Sequence, residues 1–453
     1  MTPAKTDTTI PTISRVCPDG TMVELLYDAD TATTALAVCA PDGSITVEAQ
    51  VDLPTGERLI PYAATNNLLT SGCVLLPSAV GECVSKAELI GDIKAFIHRH
   101  VDLPELYEDI AVHYVLLTWV HDAFNELGYL RFLGMPGSGK TRRLLAIGSL
   151  CYKPFFASGA STVSPIFHVL DAFGGTLILD EADLRFSDAT ADLTKILNNG
   201  TMKGLPVLRT MTNRYRELNP QAFKVFGPKL VAMRAPFADD ALESRFITES
   251  TGNAPLRPDI DIHLSDTMKS DALLLRNKLL AWRFQARHAV GPDPRRLVDG
   301  LSPRGNQSAL ALLSLIDDEP LRTKIADDLV ACEARVTTKR AASADATMVK
   351  VLRLMFRVAP TPYLTLADIT AQFNDAMAEH GAAPIESKAT GWLVRGKLGL
   401  VTTKTRGVYV IPQSERGKID ALADRFGLPA EMVIAAPEIA ALGFLARSAK
   451  ISA

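Results

Sequence analysis

Two short stretches hold residues whose types and spacing do chemistry. The first runs Gly134-Met-Pro-Gly-Ser-Gly-Lys-Thr141, spaced G-x-x-x-x-G-K-T. Glycines let consecutive backbone N–H groups turn inward on a phosphate, and the helix that follows offers the same anion its positive end. Gly134, Pro136, Gly137, Ser138, Gly139, Lys140, Thr141 and Arg142 are the expected nucleotide-binding residues. Lys140 is placed to meet the β- and γ-phosphates and the Thr141 hydroxyl to hold Mg²⁺. The second stretch is Gly174-Gly-Thr-Leu-Ile-Leu-Asp-Glu-Ala-Asp183. Four apolar residues lead into acids, so the carboxylates emerge where a buried strand ends, the edge at which open α/β sheets bind ligands. Asp180 is expected on Mg²⁺, with Thr141, and Glu181 on the attacking water as general base. Asp183 is expected to be a helix-start or surface acid.

A phosphate loop needs a strand before it and a helix after it. Tyr129-Leu-Arg-Phe-Leu133 is a short apolar run suited to a buried strand, and Thr141 to Leu150 has helical character. Around them strand-like and helix-like segments alternate over residues 128–252, which predicts a parallel α/β sheet. Residues 1–85 are rich in Thr, Val, Pro and Gly, with turn signals at Asp19-Gly20 and Asp42-Gly43, and predict a β-rich N-terminal domain. Residues 86–127 have helical spacing and form an expected helical linker. Residues 253–345 are expected to be a helical lid that ends in a polar linker over Val336–Ala346. Residues 346–412 follow a helix–helix–helix–hairpin order with Arg406-Gly407 at the turn, the order of a winged helix. Residues 413–453 are expected to be a tail of short helices.

The 453 residues are too many for one core. A hydrophobic content of 47% with 22% charged residues describes an ordinary globular chain, and the formal net charge of −3 excludes a wholly basic nucleic-acid coat while leaving room for a local basic patch. Six scattered cysteines without a C-x-x-C pair predict free thiols in a reducing cytosol. His98, His100, His113 and His121 lie at spacings that do not suit a metal site. No signal-peptide core and no membrane-length apolar run is present, so a cytoplasmic protein without a membrane partner is expected.

In this order, the phosphate loop, the Asp180-Glu181 strand and Ser244-Arg-Phe246 resemble AAA+ ATPases. The segment Gly204 to Met233 is similar to the hairpin that precedes the sensor strand in minichromosome-maintenance and superfamily-three helicases of replication systems and mobile elements. The resemblance implies an AAA+ parallel-sheet core, ATP with Mg²⁺, and a homo-oligomeric ring, a hexamer, moving on single-stranded or forked DNA. It also implies a γ-phosphate sensor at the end of the strand Pro228–Met233, where asparagine is usual and Arg234 stands instead. Arg245 takes the place of the arginine that completes a neighbour's site, and Arg304 that of a second sensor, with Arg276 and Arg283 as alternatives. The hairpin cations Arg209, Arg214, Arg216 and Lys224, facing a pore, would grip phosphates without reading sequence. Lys388, Arg395, Lys397, Lys404 and Arg406 are the expected phosphate contacts of the winged helix. The same features leave two other functions open, an ATP-dependent protein remodeller and a DNA-binding regulator controlled by nucleotide.

Overall fold

The computed structural model describes residues 8–180, 188–212, 218–237, 239–252, 256–358, 361–378 and 382–428. The chain divides into two compact units, up to Leu329 and from Val330 onward, each with a hydrophobic core.

The first unit opens with β1 (Thr8–Thr12), β2 (Ser14–Val16), β3 (Met22–Asp28), β4 (Thr33–Cys39), β5 (Ile45–Glu48), β6 (Val51–Asp52) and β7 (Glu57–Pro61). They make an antiparallel meander β2-β3-β4-β5 and a small sheet β1-β7-β6. Helices α1 (Asn67–Thr70), α2 (Lys86–His100) and α3 (Glu105–Val120) follow. Ser85 starts α2 by accepting a hydrogen bond from the Glu88 amide. From Ile110 to Val120 every residue of α3 is buried, as an apolar run without a polar face requires.

The central sheet is built from β8 (Tyr129–Leu133), β9 (Phe155–Ser158), β10 (Leu177–Asp180), β13 (Lys229–Met233) and β14 (Phe246–Ser250). Its order is β14-β8-β13-β10-β9 and every pair is parallel. Strands covered on both faces are apolar along their length rather than alternating, which is why β10 and β13 are buried almost throughout. The connections are α4 (Lys140–Gly148), α5 (Val163–Phe173), α6 (Asp188–Asn199), the antiparallel hairpin of β11 (Val207–Thr212) with β12 (Leu218–Phe223), and α7 (Asp240–Glu243). Helix α4 lies close on the sheet, since a Cβ on Gly148 would stand 3.1 Å from Ile178. Helices α8 (Asp266–Ala286), α9 (Pro303–Leu313) and α10 (Glu319–Ala341) come next.

The second unit contains α11 (Ala344–Val358), β15 (Tyr363–Thr365), α12 (Leu366–Ala378), α13 (Ser387–Trp392) widening into a π-helical turn at Leu393–Lys397, β16 (Thr403–Thr405), β17 (Val408–Pro412) and α14 (Arg416–Arg425). Its antiparallel sheet has the order β15-β17-β16. At the two-residue turn before β17, Arg406 and Gly407 both have positive φ, +50° and +85°, as a type I′ turn demands.

One sequence expectation changes. The stretch Val336–Ala346 is not a linker: α10 continues to Ala341 and α11 begins at Ala344. Small and charged residues without Gly or Pro are compatible with a helix, and polarity alone does not end one. The two compact units divide between Leu329 and Val330. The apolar faces of β3, α2 and α3 are buried in the same core as the central sheet, and Ile419 and Ala423 of α14 lie in the second core.

Lys229 on β13 is fully buried, with Nζ donating to Val225 O and Gly227 O at 3.0 Å each and standing 4.6 Å from the Tyr129 ring centroid. Burial pushes its ammonium down to about 7, and no carboxylate pairs with it among the described residues. The folded protein therefore binds fewer protons than the unfolded chain between pH 7 and the ordinary lysine value, and stability rises with pH across that window. Denaturant midpoints at pH 7, 8 and 9 should show a slope approaching 1.4 kcal/mol per pH unit. Lys229→Met should lower the slope, most clearly between pH 7 and 8 where the buried Lys153 ammonium contributes least, and an unchanged slope in that variant would refute the assignment.

Candidate active site

Strand β8 delivers the chain to the carboxyl edge of the sheet, and the phosphate loop turns there into α4. Gly137 and Gly139 both have φ of +81°, a backbone that side chains resist, and nothing lies within 4 Å of a Cβ built on either. The loop is thus an open cradle of main chain. Gly134 is glycine for space, because a Cβ there would stand 2.8 Å from Ser138 Oγ and 2.9 Å from Thr251 Cβ. Pro136 is exposed at the crest. Gly139 immediately precedes the first turn of α4, whose amide end faces the cradle.

Lys140 is 9% exposed, and its Nζ donates to Gly134 O and Met135 O at 2.6 Å each. The ammonium is held inside the curl of the loop. Thr141 Oγ1 donates to Asp180 Oδ2 at 2.7 Å, across the width of β13. A hydroxyl and a carboxylate joined this way form a small set of hard oxygen donors. Mg²⁺ takes such donors when it arrives with phosphates and keeps much of its water, so the pair fits that ion. Among the described residues no group of three or more His, Cys, Asp or Glu could hold a metal. Arg234 follows β13 directly, exposed at the same edge, between the loop on β8 and Asp180 on β10. Glu181 and Asp183 lie outside the described residues, as do Arg214 and Arg216.

Comparison with known proteins adds little beyond this geometry. No protein-family model matches the sequence, and no curated protein matches it. Some solved structures are similar in fold. The helicase Cch of SCCmec type IV shares 11% identity, with 91% of this chain and 99% of that chain covered and a TM-score of 0.35. A full-length MCM homolog from Methanopyrus kandleri shares 16%, over 66% and 68%, at 0.35. The C-terminal region of NrS-1 shares 9%, over 86% and 96%, at 0.34. At such scores the site has to be judged on its own residues.

Arg142 does not face the cradle. Its Nε donates to His100 O at 2.6 Å and its Nη1 to Ile262 O at 2.9 Å, because the third position of α4 turns toward the loops beside it. Arg143, which the sequence did not single out, is the residue that braces the loop. It donates to Asp102 O, to Glu249 Oε2 at 3.0 Å and to Thr251 Oγ1, and Thr251 packs against Gly134. Its partners are 41, 106 and 108 positions away, so no local pattern announces it.

The other arginines lie at the opposite edge. Arg245 precedes β14, its carbonyl accepts from the Tyr129 amide at 2.9 Å, and its guanidinium donates to Asn198 O and Thr201 Oγ1. Arg304, at the start of α9, donates to Ala241 O at 3.3 Å on the same side. Five strand residues separate this edge from the loop, about 15 Å at roughly 3.3 Å per residue, further than an arginine side chain extends. Arg276 and Arg283 are buried and committed elsewhere: Arg276 donates to Ser149 O at 2.8 Å, and Arg283 is paired with Glu24 and Asp122. Neither is placed to serve as a sensor.

The hairpin also rises from this amino edge, with Leu127 N donating to Thr201 O and Lys203 N to Asn125 O. Arg209 does not project from it. Register puts Val207, Arg209 and Met211 on the inner face, and Arg209 Nη2 lies 3.0 Å from Asp192 Oδ2 on α6. The outer face is largely apolar, with Leu208 and Leu218 exposed at 70% and 77% beside Pro220, Ala222 and the exposed Thr210. Lys224 is exposed at the hairpin's end. In the second unit Lys388, Arg395, Lys397, Lys404 and Arg406 are all exposed, Lys397 with its Nζ 3.2 Å from Asp345 Oδ2.

Proposed function

We propose that this chain is an ATP-hydrolysing motor that works on DNA as a ring of copies, a helicase or translocase. The observation that carries the proposal is the 2.7 Å pair of Thr141 and Asp180 beside a glycine cradle at the carboxyl edge of a parallel sheet. Magnesium-bound ATP supplies the phosphoryl group to be transferred. The loop amides from Gly137 to Thr141 and the Lys140 ammonium hold the phosphate charge; Thr141 and Asp180 hold the cation; Glu181 takes the proton of the attacking water. Arg234 is assigned to the γ-phosphate side. Arg245 and Arg304 stand on the opposite edge, so they are assigned to the site of an adjacent copy, a hexamer being the expected ring. Helix α6 joins the two edges: it follows the acidic strand end and leads into the hairpin. The second unit is assigned as a winged helix and α8–α10 as the lid.

Lys140→Ala should weaken nucleotide binding at least tenfold, because it removes the cation facing the phosphates. Equilibrium titration with a fluorescent ATP analogue measures this, and retained tight binding would contradict the loop assignment. Hydrolysis with and without single-stranded DNA, and unwinding of a forked duplex, test the motor; absence of both DNA responses would reject it. One observation favours a second reading. The apolar outer face of the hairpin suits a polypeptide better than phosphates, as expected for a protein remodeller. A protein substrate that stimulates hydrolysis while DNA is inert would decide for it.

A further inference from the structure

The second unit exposes two large aromatic side chains that its core does not use. Trp392 is 63% exposed and Tyr409 53%, whereas the other two tryptophans, Trp119 and Trp282, are 0% and 5% exposed. Their chain neighbours pack normally: Leu393 and Val394 after Trp392, and Val410 and Ile411 after Tyr409, belong to the buried set. Val401, at 50%, and Val408, at 49%, are exposed in the same segment, so the rings stand on a partly apolar surface. Each ring has a cation beside it. The Arg395 guanidinium lies 5.6 Å from the Tyr409 centroid and the Lys397 ammonium 6.0 Å from that of Trp392.

Two glycines keep the arrangement open. A Cβ on Gly396 would stand 3.5 Å from Trp392 Nε1, so any side chain there would cover part of the indole. A Cβ on Gly391 would stand 2.9 Å from Arg395 Nη2, so glycine lets the arginine fold back along the helix, where Nη1 donates to Thr402 Oγ1 at 3.1 Å. The helix widens at this point, Leu398 N bonding to Leu393 O at 3.1 Å, and such widened turns recur at functional sites. Between Ser387 and Ile411 stand five cations, Lys388, Arg395, Lys397, Lys404 and Arg406, and no acid, in a chain of net charge −3.

We propose that this surface is a stacking site for unpaired nucleobases, with Trp392 and Tyr409 as the platforms and the surrounding cations on the flanking phosphates. The inference rests on the nucleic-acid reading given above and deepens it. Cations alone would suit any phosphate backbone. Exposed indole and phenol rings add something a duplex cannot use, because a paired base already has neighbours on both faces. An unpaired base offers a free π-face, and stacking on an aromatic side chain is tolerant of sequence. The ligand class is therefore single-stranded nucleic acid or the frayed strand of a fork.

The test uses the full chain and fluorescently labelled probes: a twenty-nucleotide thymidine strand, an abasic strand of equal length with the same phosphates, and a blunt duplex. The wild-type protein should bind the thymidine strand at least tenfold more tightly than the abasic one. Trp392→Ala should reduce thymidine-strand affinity about tenfold and leave abasic-strand affinity within twofold. Trp392→Phe should recover part of the loss, which a structural role of an exposed indole would not explain. Equal affinity for thymidine and abasic strands, no detectable binding of either, or thymidine-strand binding unaltered by Trp392→Ala and Tyr409→Ala overturns the proposal and leaves the patch to a protein partner. DNA-free hydrolysis by the wild-type chain is read in parallel. Hydrolysis that persists when the stacking result is negative overturns this inference alone, whereas absent hydrolysis overturns the motor.

Discussion

If the proposed ring forms, replacing Arg245 with alanine should lower ATP turnover on the order of a thousandfold, with nucleotide affinity changed less than about threefold. The expectation comes from where the residue stands. Arg245 sits at the amino edge of the central sheet, against Asn198 and Thr201, and the phosphate loop occupies the carboxyl edge. It cannot serve the loop of its own subunit. Burial lowers its pKa, with Arg304 nearby acting in the same direction. Two cations held close together at one edge gain most from an anion brought by something else, and a neighbour's γ-phosphate is that anion in a ring. A cation delivered there stabilises charge that develops in the transition state and contributes little to ground-state binding. Subunits carrying Arg245→Ala mixed with subunits carrying Glu181→Gln should recover part of the activity, because interfaces form in which both groups are intact. The loss of the bonds to Asn198 and Thr201 costs about 1–3 kcal/mol of stability, so thermal denaturation of the variant must accompany the kinetics. A folded variant with near-normal turnover, or mixtures without rescue, would exclude action between subunits.

What the sequence disclosed follows from the range of the interactions involved. The phosphate loop is eight consecutive residues, and its glycines answer to local backbone geometry, so pattern alone placed Gly137, Gly139 and Lys140 at a cradle. The alternation of strands and helices over residues 128–252 was equally legible, since continuous apolar runs of four or five residues bounded by turns have few other uses. Orientation within an element was harder. The resemblance makes Arg209 a pore cation, but hairpin register turns it toward Asp192, and register depends on a partner strand whose pairing was not visible. Arg131, inside an apolar strand, gives no warning that it is buried against Glu243, with both terminal guanidinium nitrogens donating to the carboxylate. The contacts that tie the N-terminal strands to later helices were hidden for the same reason. A β-rich composition in residues 1–85 signals strands, while the decision to bury their faces against helices far along the chain is made by residues such as Glu24, whose partners are 128 and 259 positions distant.

That residue sets the second large effect: Glu24→Met should destabilise the first unit by about 3–5 kcal/mol. Glu24 is 2% exposed on β3. It accepts from the Tyr152 hydroxyl at 2.7 Å and from Arg283 Nε at 2.8 Å, and Lys153 Nζ lies 3.0 Å from its Oε2 without hydrogen-bonding alignment. Arg283 in turn bonds both oxygens of Asp122 at 2.9 Å. Arg287, less deeply buried, also lies 2.9 Å from Asp122 Oδ1, so three cations meet two acids where the meander, α3, α8 and the segment after α4 come together. Removing Glu24 alone leaves Lys153 buried beside Arg283 with one acid between them. Removing Lys153 as well takes away the cation that Glu24 had faced and leaves Asp122 to Arg283 and Arg287, so the double variant Glu24→Met, Lys153→Met should be more stable than Glu24→Met by itself. Denaturant midpoints of the wild type, the two single variants and the double variant decide the matter, and additive losses would show that charge balance is not what Glu24 contributes. The pH dependence supplies an independent check. Burial already lowers the Lys153 ammonium to about 8 against the opposing pull of Glu24. Without that acid its folded value falls further below the unfolded one, and the buried lysine sheds its proton near neutrality. Stability of Glu24→Met should therefore rise with pH from a lower starting point than in the wild type, and the gap between the two proteins should narrow from pH 7 to pH 9.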